Sequence, residues 1–160
     1  MELMSNLIDV LKLQYSLYND LLELMMKEKV YITQWNSAEI ISISKKKNTI
    51  FFKEKVLNEA RLKTIAQLDK EFPDKKLTIQ SIIDIIKDIK LKNQLEELNN
   101  KLINVAKQIQ TENLLIKVLY SGNLKLISDF FENCGIAKGN TYTDNKKLYK
   151  SKYATFIKDA

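Results

Sequence analysis

From the amino terminus, apolar or aromatic residues recur at Met4, Ile8, Leu11, Tyr15, Tyr18, Leu22, Met25 and, past a gap at Lys29, Ile32. The steps alternate four and three, and residues so spaced share one stripe of an α-helix. The pattern predicts a helix of about eight turns with a coiled-coil-like seam. A second stripe at Leu3, Leu7, Val10, Leu17, Leu21 and Leu24 widens the buried face beyond what one partner helix covers. Gln34-Trp35-Asn36-Ser37 breaks the period, and Asn36 followed three residues later by Glu39 is close to a capping box. A second helix then runs to about Leu68, with apolar residues at Ile40, Ile43, Ile50, Phe51, Leu57, Leu62, Ile65 and Leu68. Lys47, Glu54 and Arg61 interrupt it at seven-residue intervals. Their expected role is a seam edge, where long side chains lay methylenes on the core and keep their charges in water. The other reading, a catalytic Lys or Glu, has no convergent group beside it.

Phe72-Pro73-Asp74-Lys75-Lys76 reads as a connection, because proline cannot donate and restrains the residue before it. Thr78 is placed to cap a short helix carrying Ile79, Ile82, Ile83 and Ile86, and a slip of the period around Ile89 and Lys90 predicts a kink or break. Beyond it a single seam runs through Leu91, Leu95, Leu98, Leu102, Val105, Ile109, Glu112, Ile116, Leu119, Asn123, Leu126 and Phe130. That is about 40 residues, or roughly 60 Å. Gly135 is the expected helix stop, and Gly139 works against an early restart. The expected fold is all-α. A long antiparallel helical hairpin or coiled-coil bundle of three long helices plus one short helix occupies residues 1–135, followed by a flexible basic tail over 136–160.

Near its end the last helix is apolar in several directions around its axis. Leu114, Leu115, Ile116, Val118, Leu119, Leu124, Leu126, Ile127, Phe130 and Phe131 make more apolar surface than one seam uses. Either neighbours or a second copy of the chain wrap this end, or it awaits a partner helix.

Composition narrows the chemistry. Three glycines and one proline are too few for the hairpins of a sandwich or barrel. Without histidine, and with Cys134 the only cysteine, no disulfide framework, histidine metal site or Ser-His-Asp or Cys-His nucleophile can be written. No phosphate-cradling glycine loop occurs. Glu96 and Glu97 are adjacent on a helix and diverge by about 100°, unlike a convergent acid-base pair. No enzyme, cofactor or metal is expected, and a binding protein is. The formal charge is +6, and residues 136–160 carry most of it, six lysines against two aspartates. Arg61 is the sole arginine among 26 basic residues, which argues against nucleic-acid readout. The opening Met-Glu-Leu-Met-Ser-Asn has no basic n-region, and no apolar run nears the roughly 20 residues of a membrane span. A cytoplasmic chain without membrane insertion is therefore expected.

Leu21-Leu22-Glu23-Leu24-Met25-Met26-Lys27-Glu28-Lys29, Trp35-Asn36-Ser37-Ala38-Glu39, Lys47 and Asn58-Glu59-Ala60-Arg61 form one long layout. Thr111-Glu112-Asn113-Leu114-Leu115, Leu119-Tyr120 and Thr141-Tyr142 continue it. This layout resembles the FlgN family of flagellar type III export chaperones, with Asn36 where that family's turn usually has Asp. The resemblance implies cytosolic binding of the hook-filament junction proteins, FlgK-like and FlgL-like, through their terminal amphipathic segments. It also implies delivery to the export gate, with Tyr142 in the docking element. The client would lie on Leu114, Leu115, Val118, Leu119, Leu126, Ile127 and Phe130. The alternative is a structural coiled-coil adaptor or homodimer whose seam is satisfied by its own copy. The periods fit a monomer and a homodimer equally.

Overall fold

The computed structural model describes residues 2–71 and 77–134. Four helices hold nearly all of them: α1 (Glu2–Thr33), α2 (Ser37–Glu71), α3 (Ile79–Ile85) and α4 (Ile89–Asn133). No strand occurs among the described residues, and the all-α expectation of three long helices and one short one is met. The expected Pro73 connection, the Gly135 stop and the tail over 136–160 lie outside the described residues. The chain divides into two compact units, Met1–Leu119 and Tyr120–Ala160.

The turn between α1 and α2 is built by its backbone. Asn36 N–H donates to the Tyr31 carbonyl at 3.0 Å and Trp35 N–H to the Ile32 carbonyl at 3.2 Å, the paired bonds of a Schellman helix end. That motif puts its penultimate residue in the left-handed region, and Trp35 sits there with φ of 55°. Asn36 then caps α2, accepting from Glu39 N–H at 3.3 Å through Oδ1. The reciprocal half of the expected capping box is absent because the Asn36 N–H is already committed to Tyr31.

Both breaks around α3 are capped as well. Thr78 and Ser81 form a complete capping box, and Leu77 N–H donates to Asp69 Oδ1 at 3.0 Å, tying this entry to the end of α2. The predicted slip near Ile89 is a real interruption over residues 86–88. Asp88 restarts the helix by accepting from Lys90 and Leu91 N–H groups at 2.8 and 3.2 Å. This cap was readable, since an aspartate precedes the resumed apolar period.

Within the first unit, α1 and α2 form an antiparallel hairpin, with Glu28 beside Lys47 and Tyr18 beside Glu54. α4 runs parallel to α1. Leu95, Leu98 and Leu102 share one buried cluster with Leu7, Ile8 and Leu11, and further along both helices Lys29 pairs with Glu112. α3 closes the end of this cluster with Ile82 and Ile83, joined by Leu68 and Leu77. Under α3 an apolar cavity of about 70 Å³ remains, lined by Met4, Leu68, Leu77, Ile82, Ile85 and Ile86.

The buried line of α1 differs from the apolar stripes. It passes through Leu7, Leu11, Gln14, Leu17, Leu21, Met25, Glu28 and Ile32, so two polar residues are among its deepest. On α2 the seam follows Ile43, Lys47, Ile50, Glu54, Leu57, Arg61, Thr64 and Leu68, and Phe51 and Leu62, placed on the apolar stripe by sequence, are exposed. Apolar spacing alone does not see a seam position filled by a polar side chain whose partner lies on another helix.

The left-handed Trp35 position costs a side-chain-bearing residue about 1–2 kcal/mol that glycine avoids. Trp35→Gly should therefore raise stability by about 0.5–1 kcal/mol, after allowing for the greater freedom of glycine in the unfolded chain. Urea midpoints of the two proteins measure it, and a destabilised variant would show that the indole contributes packing.

Candidate functional site

The interrupting residues of α2 are where sequence left room for catalysis. The structure turns them toward α1. Lys47 Nζ donates to Glu28 Oε2 at 2.9 Å, with the two side chains only 16% and 6% exposed. Glu54 Oε1 accepts from the Tyr18 hydroxyl at 3.1 Å and from Gln14 Nε2 at 3.5 Å. Arg61 donates to Asn58 Oδ1 at 2.7 Å, one turn back on its own helix. The expectation that these charges stay in water is thus corrected for Lys47 and Glu54. A buried seam offers the ammonium and carboxylate less hydration than a partner on α1 does, so each turns inward. Gln14 Oε1 is buried without a hydrogen-bond partner among the described residues, so this junction is not fully satisfied.

Burial chiefly, and then the Glu54 carboxylate through its charge and hydrogen bond, hold the Tyr18 hydroxyl above the ordinary 10.0, with the Arg61 charge opposing. Glu96 and Glu97 are both exposed on α4. Glu97 bonds Lys101 at 2.6 Å, four residues on along its own helix.

The apolar candidates lie on α4. In the first unit Leu114, Leu115 and Val118 are exposed, Val118 at 67%, whereas Leu119 is half-buried. Among the described residues of the second unit, Leu126, Ile127 and Phe130 are exposed, together with Leu124 and Phe131. Phe130 and Phe131 meet edge to face with ring centroids 5.8 Å apart. Seam positions behave differently along the helix. Leu95, Leu98, Leu102, Val105 and Ile116 are buried, but Leu126 and Phe130, which continue the same four-three steps, are each 62% exposed. Tyr142 lies outside the described residues. No described helix is long and apolar enough to cross a membrane.

A bundle that spends its buried polar groups on pairing its own helices, and whose longest helix leaves several turns of apolar surface uncovered, defines the class: a helical bundle with open helix faces. The family model described as FlgN protein matches residues 1–150, and the chain belongs to the FlgN family of flagellar export chaperones. No curated protein and no solved structure matches it.

Two outcomes test the α1–α2 ties. Lys47→Met removes the ammonium that pairs with the buried Glu28 carboxylate and should cost about 3 kcal/mol, whereas Glu28→Leu with Lys47→Met should recover most of that loss. Urea unfolding of all three proteins decides between a tie and a passive contact. For Tyr18 the raised value means that the fold favours the neutral phenol. Its contribution is complete below the unfolded value and is lost as pH rises through the folded one. The stability margin of wild type over Tyr18→Phe should therefore be level below about pH 9 and shrink as pH rises past about 10. A constant margin in urea melts would dissociate Tyr18 ionisation from folding.

Proposed function

We propose that this flagellar chaperone captures the terminal amphipathic segments of hook-filament junction proteins, FlgK-like and FlgL-like, in the cytoplasm, and delivers them to the type III export gate. The observation that carries the reading is the uncovered seam: Leu126 and Phe130 stand exposed on the same seam as the buried Leu95, Leu98, Leu102, Val105 and Ile116. Leu114, Leu115 and Val118 add apolar surface that its own bundle does not use.

The mechanism is helix addition. A client segment that orders on binding lays its apolar face along α4 and completes a seam that the chaperone alone leaves open. Each fully covered Leu, Val or Phe contributes about 1.5–3 kcal/mol, and the cost of ordering the segment offsets part of the sum. Binding is then specific but reversible, as delivery requires. Covering the client's apolar face also suppresses its premature self-association. The chain does this without catalysis, metal or cofactor. The family resemblance adds Tyr142 as the gate-docking residue.

Val118→Asp and Phe130→Asp each place a charge on an exposed position, so helicity by circular dichroism should stay near wild type. Affinity for C-terminal junction-protein peptides should fall at least about tenfold. Leu119 is less suitable for this test because it is half-buried. Tyr142→Ala should spare peptide binding and weaken gate association. Unchanged peptide affinity in both Asp variants would remove α4 from client capture. A stable dimer that hides Phe130 would favour the self-satisfied coiled coil instead.

A further inference from the structure

The outer face of α2 takes no part in the hairpin and none in the client reading of α4. With Ile43, Ile50 and Leu57 turned inward, the residues half a turn away are Ile41, Lys45, Phe52, Lys55 and Val56, all exposed, Phe52 at 70%. Phe52 and Val56 are four residues apart, Lys55 lies three beyond Phe52 and Lys45 seven before it, so they form one ridge. Lys46 and Lys53 flank it.

Lysines outside ion pairs occur along both α2 and α4, and four of them gather on this ridge within eleven residues. Lys12, Lys27, Lys29, Lys47 and Lys101 each have a carboxylate within ion-pair distance. Lys45, Lys46, Lys53 and Lys55 have no ion-pair partner among the described residues. Between Glu39 and Glu59 the only acid is Glu54, and it is turned onto Tyr18 and Gln14. An exposed apolar ridge is thus bordered by four lysines outside ion pairs, against the single exposed acid Glu59 on the same face.

We propose that this face of α2 is a second docking surface, and that its occupant is an acidic amphipathic helix of another protein, with carboxylates on both sides of a narrow apolar ridge. The sign of the charge excludes two nearer occupants. A second copy docking the same face would set lysine against lysine, and this chain's residues 136–160, with six lysines against two aspartates, carry the same sign. The geometry disfavours a lipid surface, because the apolar residues form one ridge rather than the broad face that enters a bilayer interface. A single helix laid along the ridge covers Phe52 and Val56 and brings its carboxylates to Lys45 and Lys55.

The test uses the full chain and a synthetic helical peptide of about 20 residues, with Leu at the core positions and Glu at the flanking ones, beside a twin carrying Gln for Glu. Calorimetric titration should show saturable binding of the acidic peptide, weakened by salt and at least about tenfold tighter than the twin. The exchange Lys45→Glu with Lys55→Glu should weaken it by a similar factor, Phe52→Ala should weaken it too, and Val118→Asp should not. All these positions are exposed, so unchanged thermal melts confirm that the variants fold. Equal binding of the two peptides, wild-type affinity in the double variant, or loss of binding in Val118→Asp would overturn the proposal. So would Lys45- and Lys55-dependent binding to phosphatidylserine vesicles without peptide binding, which would assign the face to membrane. The client titrations with Phe130→Asp stand apart from these results, so failure here leaves the chaperone reading intact.

Discussion

Glu28 and Lys47 hold their charges out of water between α1 and α2, and the placing of every other helix follows from that hairpin. Two buried ions gain little net stability from meeting, because each gives up its hydration; what they impose is a penalty of about 3–5 kcal/mol on an arrangement that separates them. One helical turn of slip along the hairpin would part Glu28 from Lys47 and detach Glu54 from Tyr18 and Gln14. Polar groups at seam positions thereby choose the register, while Ile43, Ile50 and Leu68 on α2 and Leu11, Leu21 and Met25 on α1 supply most of the burial.

With the hairpin in register, α1 presents one line of apolar side chains to α4, and the parallel course of α4 follows. Leu95, Leu98 and Leu102 meet the amino-terminal part of α1, and Glu112 meets Lys29 toward its other end. α4 is 45 residues long against 32 for α1. The same four-three seam is buried at Leu95, Leu98, Leu102, Val105 and Ile116 and exposed at Leu126 and Phe130. A continuous helix is a direct way to carry an apolar seam past the stretch in which it is covered, since its backbone bonds are satisfied internally and need no tertiary partner.

That division of labour suits a chaperone. The folded hairpin has charges paired across its helices, and the exposed apolar surface of α4 stands on regular helix, where a partner could engage side chains without reorganising the backbone. Among the described residues Trp35, in the turn between α1 and α2, is the one non-glycine residue with a positive φ, a left-handed conformation that the Schellman bonds impose.

Helix number, order and most boundaries were legible from periodicity, because a 3.6-residue repeat writes itself into any sequence that buries one side of a helix. So were Asn36 and Thr78 as caps, and the break before α4, since capping is local chemistry. The apolar excess of α4 was legible as well, although not which of its residues are covered: Leu119 is half-buried while Val118, next to it, is open. The roles of Gln14, Glu28, Lys47 and Glu54 belonged to the tertiary structure alone. A polar residue on an apolar stripe reads in sequence as an interruption or a wet edge. Only the neighbouring helix, brought alongside by residues far away in the chain, supplies the opposite charge or the donor that makes its burial favourable.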